Sequence, residues 1–238
     1  MQSSNLTFLK IRAWFVHFYT SLGLVVGLLA IIQIMLGDVK WAFLLLGLAV
    51  FIDATDGTLA RAWKVKIYAA SFDGRKLDDI TDYLNYAFIP VIFIYKFQLV
   101  PTQMIWVLGV VLITAVYGFC QNVAKTDDGY FTGFPNFWNF IAFYMYLLKL
   151  SPVINGIILL IFSLLIFVPV KYLSFSTKPF KKHLFIISGV YSILLLWITL
   201  KLEQPDMTLV YLSLLFPIGY AMVSIYMTML STTKRVAK

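Results

Sequence analysis

Eight long apolar stretches, cut apart by short polar or charged segments, organise the chain: residues 13–36, 40–60, 77–97, 102–124, 136–150, 152–172, 182–202 and 207–230. A membrane-spanning helix needs about 20 mostly apolar residues. Lipid admits only structures that satisfy their own backbone hydrogen bonds. The pattern therefore predicts an all-α, polytopic membrane helical bundle of about eight transmembrane helices. The fifth and sixth stretches meet at Leu150-Ser151-Pro152, where proline suits a tight turn or a helix start; a single re-entrant segment is the competing reading. The first stretch is longer than a signal-peptide core and no small-residue cleavage site follows it, so it reads as a retained helix. Without internal repeats, low-complexity tracts or linkers, residues 1–238 read as one integral-membrane domain.

Composition strengthens the membrane reading. The chain is 61% hydrophobic and 13% charged, with a mean hydropathy of +0.87. A soluble domain of this length could not cover so much apolar surface. Aromatic residues make up 17% of the chain, enough to furnish interfacial belts. The net charge of +8 forms no single basic patch and implies no nucleic-acid partner. With eight spans, 15 of the 19 Lys and Arg residues fall on one side. They are Lys10, Arg12, Arg61, Lys64, Lys66, Arg75, Lys76, Lys125, Lys171, Lys178, Lys181, Lys182, Lys234, Arg235 and Lys238. The positive-inside rule puts that side, with both termini and the 61–76 loop, in the cytoplasm. The lone Cys120 excludes an internal disulfide.

Aspartates break the apolar pattern. Asp53 and Asp56 lie inside the second stretch, and Asp78 and Asp82 open the third. A carboxylate at the bilayer centre costs about 2.5–3.5 kcal/mol on insertion scales. Four together repel one another unless a cation holds them, and hard divalent cations prefer oxygen ligands. Helical spacing puts Asp53, Asp56, Gly57 and Ala60 on one face, and Gly74, Asp78 and Asp82 on another. The short connection makes the two helices antiparallel neighbours, so the acids share one depth near the cytoplasmic surface. Gly57 and Ala60 remove side-chain bulk beside a metal, and Arg61 offers a planar charge suited to phosphate. Ordinary first-turn acids at a helix N-terminus could account for Asp78 and Asp79, but not for Asp53 and Asp56.

The spacing DxxDGxxAR followed by GxxxDxxxD (Asp53, Asp56, Gly57, Ala60, Arg61, Gly74, Asp78 and Asp82) resembles the signature of the CDP-alcohol phosphotransferases. The likeness implies a helical bundle whose four aspartates bind two divalent ions, Mn2+ or Mg2+. It implies that the last one, Asp82, deprotonates the acceptor alcohol, and that Asp56, Gly57, Ala60, Arg61 and Gly74 hold the CDP moiety. Twelve residues separate Arg61 from Gly74, more than in most members. That interval, with FTGFPNFWN at 131–139 and FVPVKYLSF at 167–175, is similar to the bacterial phosphatidylcholine synthase branch. The branch implies CDP-diacylglycerol and choline as substrates, an inner-membrane site facing the cytoplasm, and a tendency to homodimers.

Choline is held by aromatic faces. Tyr83, Tyr86, Phe134 and Trp138 are candidates for its cage, with Asn85 and Asn139 beside its hydroxyl. With 41 aromatic residues in the chain, some would line any pocket. Lys171 and Lys178 could meet lipid phosphate, or serve only as positive-inside charges. Thr20 faces the region of the nucleotide, though a bond to its own helix carbonyl is equally open. His17 and His183 read as interfacial residues, and Asp127-Asp128-Gly129 as a turn. Other acceptors (serine, glycerol phosphate, inositol) keep the chemistry; an anionic one would call for more arginine than Arg12, Arg75 and Arg235. A cation transporter would not need Gly57, Ala60 and Arg61 in register.

Overall fold

The computed structural model describes residues 2–121, 126, 129–174 and 181–236. The chain divides into two compact units, residues 1–96 and 97–238. Lys125, Asp127, Asp128, Lys178 and Lys238 lie outside the described residues.

The first unit is built on an antiparallel pair, α1 (Gln2–Leu36) and α2 (Val39–Ala62). Between them Gly37 takes φ +83°, a left-handed conformation that costs glycine nothing. Asp38 then caps α2, accepting from the Trp41 N–H at 3.0 Å, which satisfies one orphan donor of the first turn. This tight turn fixes the register of the pair. Far from it, the Tyr19 and Thr55 hydroxyls meet at 2.8 Å, and Thr20 Oγ1 donates to Asp56 Oδ2 at 2.8 Å. Val26, Ala49 and Ile52 fill the seam, while Ala13 and Val16 pack on Val65 and Ala69. After α2, Lys64 turns left-handed and a single turn, α3 (Val65–Tyr68), follows. Asp73 caps α4 (Gly74–Tyr83) by accepting from the Lys76 N–H. Helix α4 runs without a break through a widened π turn, Leu84–Phe88, into α5 (Ile89–Lys96). It lies close against α1. A Cβ on Gly23 would sit 2.8 Å from Thr81 Cγ2, and one on Gly27 would sit 2.6 Å from Asn85 Oδ1. Small residues four apart let two membrane helices approach in this way.

The second unit contains α6 (Trp106–Cys120), α7 (Trp138–Leu148), α8 (Pro152–Leu165), α9 (Lys181–Leu200), α10 (Met207–Ser213) and α11 (Leu215–Val236). The strands β1 (Phe131–Thr132) and β2 (Lys171–Tyr172) pair antiparallel, Phe131 opposite Tyr172. Inside this unit Tyr144 shares hydrogen bonds with Tyr191 and Ser213, closing a polar network that would otherwise be costly among apolar helices.

Among the described residues, five helical stretches are long and apolar enough to cross a membrane: Asn5–Leu36, Val39–Ala62, Thr102–Cys120, Lys182–Leu200 and Met207–Leu230. Two more apolar helices, Trp138–Leu148 and Pro152–Leu165, are shorter. With Phe18, Val25, Leu28 and Ile32 all exposed on α1 alone, lipid is the medium that covers these faces, and this is an integral membrane protein. The fifth and sixth apolar stretches form two separate helices. Lys149 is left-handed, and Ser151 caps α8 just before Pro152. Two expected ends shift. The stretch 152–172 is helical only to Leu165, because Pro169 lacks the N–H that a continuing helix needs and Lys171–Tyr172 is taken by β2. In the stretch 102–124, α6 ends at Cys120, where Gln121 turns to extended backbone; residues 122–124 lie outside the described residues.

Candidate active site

Helix α2 carries Asp53, Asp56, Gly57, Ala60 and Arg61 in its last ten residues, and α4 begins at Gly74 and carries Asp78 and Asp82. Both helices pack on α1, which closes the third side. A cleft there is lined by Thr20, Ala49, Ile52, Asp53, Asp56, Asp78, Thr81, Asp82, Asn85 and Tyr86. Asp53, Asp78 and Asp82 each bring a carboxylate oxygen within 4.8 Å of the other two. Three anions at such spacing, partly withdrawn from water, repel strongly in a low dielectric. A divalent cation removes that repulsion, and three carboxylates from two helices are an oxygen donor set of the kind Mg2+ or Mn2+ takes. The residues therefore fit a metal.

The fourth acid stands apart from this trio. Asp56 is 6% exposed and accepts the Thr20 hydroxyl. Thr20 thus donates to a signature carboxylate on the neighbouring helix and not to its own helix carbonyl. Tyr86 behaves likewise. It is 8% exposed, and its hydroxyl donates to Asp53 Oδ2 at 2.7 Å. Outer-shell donors of this kind orient metal-binding carboxylates. Arg61 is exposed and donates to Thr58 Oγ1 at 3.0 Å, leaving most of its guanidinium donors open to an incoming anion.

The DxxDGxxAR and GxxxDxxxD elements thus stand in register on adjacent helices, and the family model for CDP-alcohol phosphatidyltransferases matches residues 13–170. The chain belongs to the CDP-alcohol phosphatidyltransferase family. Among its relatives is the phosphatidylcholine synthase of Legionella pneumophila, 42% identical over 162 residues, which span 67% of this chain and 64% of that protein. The phosphatidylcholine synthase of Pseudomonas aeruginosa is 39% identical over 177 residues, 74% of this chain and 73% of that protein. That of Legionella bozemanae is 36% identical over 212 residues, 85% of this chain and 98% of that protein. Members of the family generally use divalent metals, in keeping with the acid trio.

Other residues singled out in the sequence have partners of their own. Gly74 has a packing role: a Cβ there would lie 2.6 Å from His17 Cε1. His17 is itself buried, against Phe72 and Trp14. Asn85 spends both amide hydrogens on the carbonyls of Gly23 and Thr81, which leaves its Oδ1 alone without a partner. Phe134, Trp138 and Asn139 belong to the second unit. Trp138 is 0% exposed, donates its indole N–H to Asn136 Oδ1, and meets the Phe134 ring edge-on. Asn139 Oδ1 accepts from the Phe140 N–H. Lys171 lies over the Tyr130 ring, its Nζ 5.4 Å from the centroid, and its backbone N–H donates to Thr228 Oγ1. Two features escaped the sequence reading: the Gly23/Gly27 notch, whose GxxxG spacing was there to be read, and the π turn after Asp82, for which no sequence signal exists.

Proposed function

We propose that this chain transfers the phosphatidyl group of CDP-diacylglycerol to choline, giving phosphatidylcholine and CMP. The convergence of Asp53, Asp78 and Asp82 supports the transfer, and the likeness to phosphatidylcholine synthases supports the acceptor. The choline oxygen forms a bond to the phosphorus that bears diacylglycerol, while the bond from that phosphorus to the CMP oxygen breaks. The hydroxyl proton goes to Asp82, the last acid of the signature. Bound divalent metal, two ions of Mn2+ or Mg2+ held by Asp53, Asp56, Asp78 and Asp82, would neutralise the diphosphate and the charge developing on the leaving group. Gly57 and Ala60 leave room for the nucleotide beside α2, and Arg61 faces its phosphates. The scarcity of arginine favours a cationic over an anionic acceptor. The positive-inside partition supports a cytoplasmic side for the acids, and the bacterial relatives support an inner membrane, within reach of soluble choline. Tyr83, half-buried one residue beyond Asp82, supplies an aromatic face for the quaternary ammonium.

Membranes holding the protein should convert labelled choline to phosphatidylcholine when given CDP-diacylglycerol and Mn2+ or Mg2+. Ethanolamine and serine serve as rival acceptors. Transfer to serine but not to choline would reject the acceptor while leaving the chemistry in place.

A further inference from the structure

We infer that Asn85 is a positioning residue for the metal-bound acids: wedged into the Gly23/Gly27 notch of α1, it fixes the π turn that sets Asp82 and Tyr86. The inference rests on the metal-supported transfer proposed above.

Asn85 is 4% exposed. Its Nδ2 donates to Gly23 O at 3.2 Å, across to α1, and to Thr81 O at 3.1 Å within its own helix. Two carbonyl acceptors decide which end of the amide is nitrogen, since an oxygen there would face two others. Oδ1 must then point along α1 toward Gly27, where a Cβ would come within 2.6 Å of it. That oxygen has no hydrogen-bond partner. Burying an unpaired acceptor is unfavourable, and a leucine of similar size would avoid it in an apolar seam. The two donor bonds are what asparagine adds, and both bind the start of the widened turn.

That turn matters because of what flanks it. Asp82 sits two residues before Leu84, and Tyr86 lies inside the π segment, where the Ile89 N–H reaches back to Leu84 O. Extra residues in a helical turn re-aim the side chains that follow, and such bulges collect at functional sites. Here the re-aimed side chain is Tyr86, whose hydroxyl meets Asp53 on α2. Asn85 pins the turn to α1 and Tyr86 ties it to the Asp53 carboxylate, with Asp82 in the helical turn just before them. Both Asn85 amide bonds go to backbone carbonyls, so its effect on chemistry runs through these neighbours.

The test uses the full-length protein in nanodiscs, with Mn2+ binding followed by the free-ion EPR signal and turnover measured in parallel. Asn85→Leu keeps the volume and removes both donors. It should weaken Mn2+ binding at least tenfold, the usual effect of losing an outer-shell partner, and lower kcat by a similar factor. The KM for CDP-diacylglycerol should stay within twofold. Gly27→Ala, which pushes on Oδ1 without touching any acid, should weaken Mn2+ in the same direction. Wild-type Mn2+ affinity in Asn85→Leu, even with a lowered melting temperature, would make Asn85 a packing residue and overturn the inference. Should Asn85→Leu fail to accumulate, wild-type affinity in Gly27→Ala would overturn it equally. A wild-type protein that binds no Mn2+ would instead refute the metal reading.

Discussion

Tyr86→Phe separates two roles for one ring. The substitution deletes a single oxygen and leaves the buried ring where it is, so it opens almost no cavity. What it removes is the 2.7 Å bond from the Tyr86 hydroxyl to Asp53 Oδ2. A hydrogen bond to a charged partner is worth about 1.5–3 kcal/mol. At about 1.4 kcal/mol per factor of ten, its loss corresponds to roughly a ten- to hundredfold effect on whatever depends on Asp53. If the hydroxyl orients a metal ligand, the Mn2+ concentration for half-maximal activity should rise by about that factor, and the KM for choline should not move. If Tyr86 instead walls a choline cage, phenylalanine still presents an aromatic face to the quaternary ammonium and the metal requirement should stay as it was. Titrating Mn2+ at saturating choline, then choline at saturating Mn2+, distinguishes the two. A Tyr86→Phe variant with wild-type metal dependence would refute the positioning role.

Asp82→Asn should abolish turnover while CDP-diacylglycerol binding, read by calorimetry, stays measurable; near-normal turnover would remove Asp82 as the base. Gly74→Ala should destabilise the protein by about 1–3 kcal/mol through overpacking against His17, and adding His17→Ala should recover part of the lost melting temperature; no recovery would mean the glycine serves something other than this contact. Trp138→Ala should cost about 3–5 kcal/mol of stability, seen in thermal melts, because the indole is fully buried; an unchanged melt with a raised KM for choline would restore it to the cage. Tyr83→Ala should raise the KM for choline about tenfold, on the order of the cation–π contribution of a partly desolvated site, and an unchanged value would leave the ammonium without its proposed partner.

The acids were legible because charge inside an apolar run has so few physical excuses. Their spacing fixed which side chains share a helix face, and α2 and α4 present them as expected. The supports were less visible. Thr20 reads as a nucleotide contact because the first helix turns it toward that region, and Tyr86 as a cage wall because it lies one turn beyond Asp82. Only the crossing of α1, α4 and α2 shows that their hydroxyls are spent on Asp56 and Asp53. The π turn could not be foreseen, since no residue preference encodes a bond from an N–H to the fifth carbonyl back. Trp138 reads as a cage candidate as any aromatic does in so aromatic a chain, whereas its bond to Asn136 Oδ1 is visible only in the fold. The break between α7 and α8 was readable in Ser151-Pro152, whereas two-residue strands such as β1 and β2 leave no periodicity to read.

The hairpin of α1 and α2 has one further consequence. Thr20 and Asp56 lie almost equally far in sequence from the bend at Gly37 and Asp38, and that bend alone sets how the two rods are aligned. It stands roughly 27 Å from the acids at 1.5 Å per residue. One residue inserted or deleted there would slide the partners by a step and turn one rod by about 100°, parting Thr20 from Asp56. The far end of the hairpin thus governs the alignment of the end that carries the acids, through nothing more than counting.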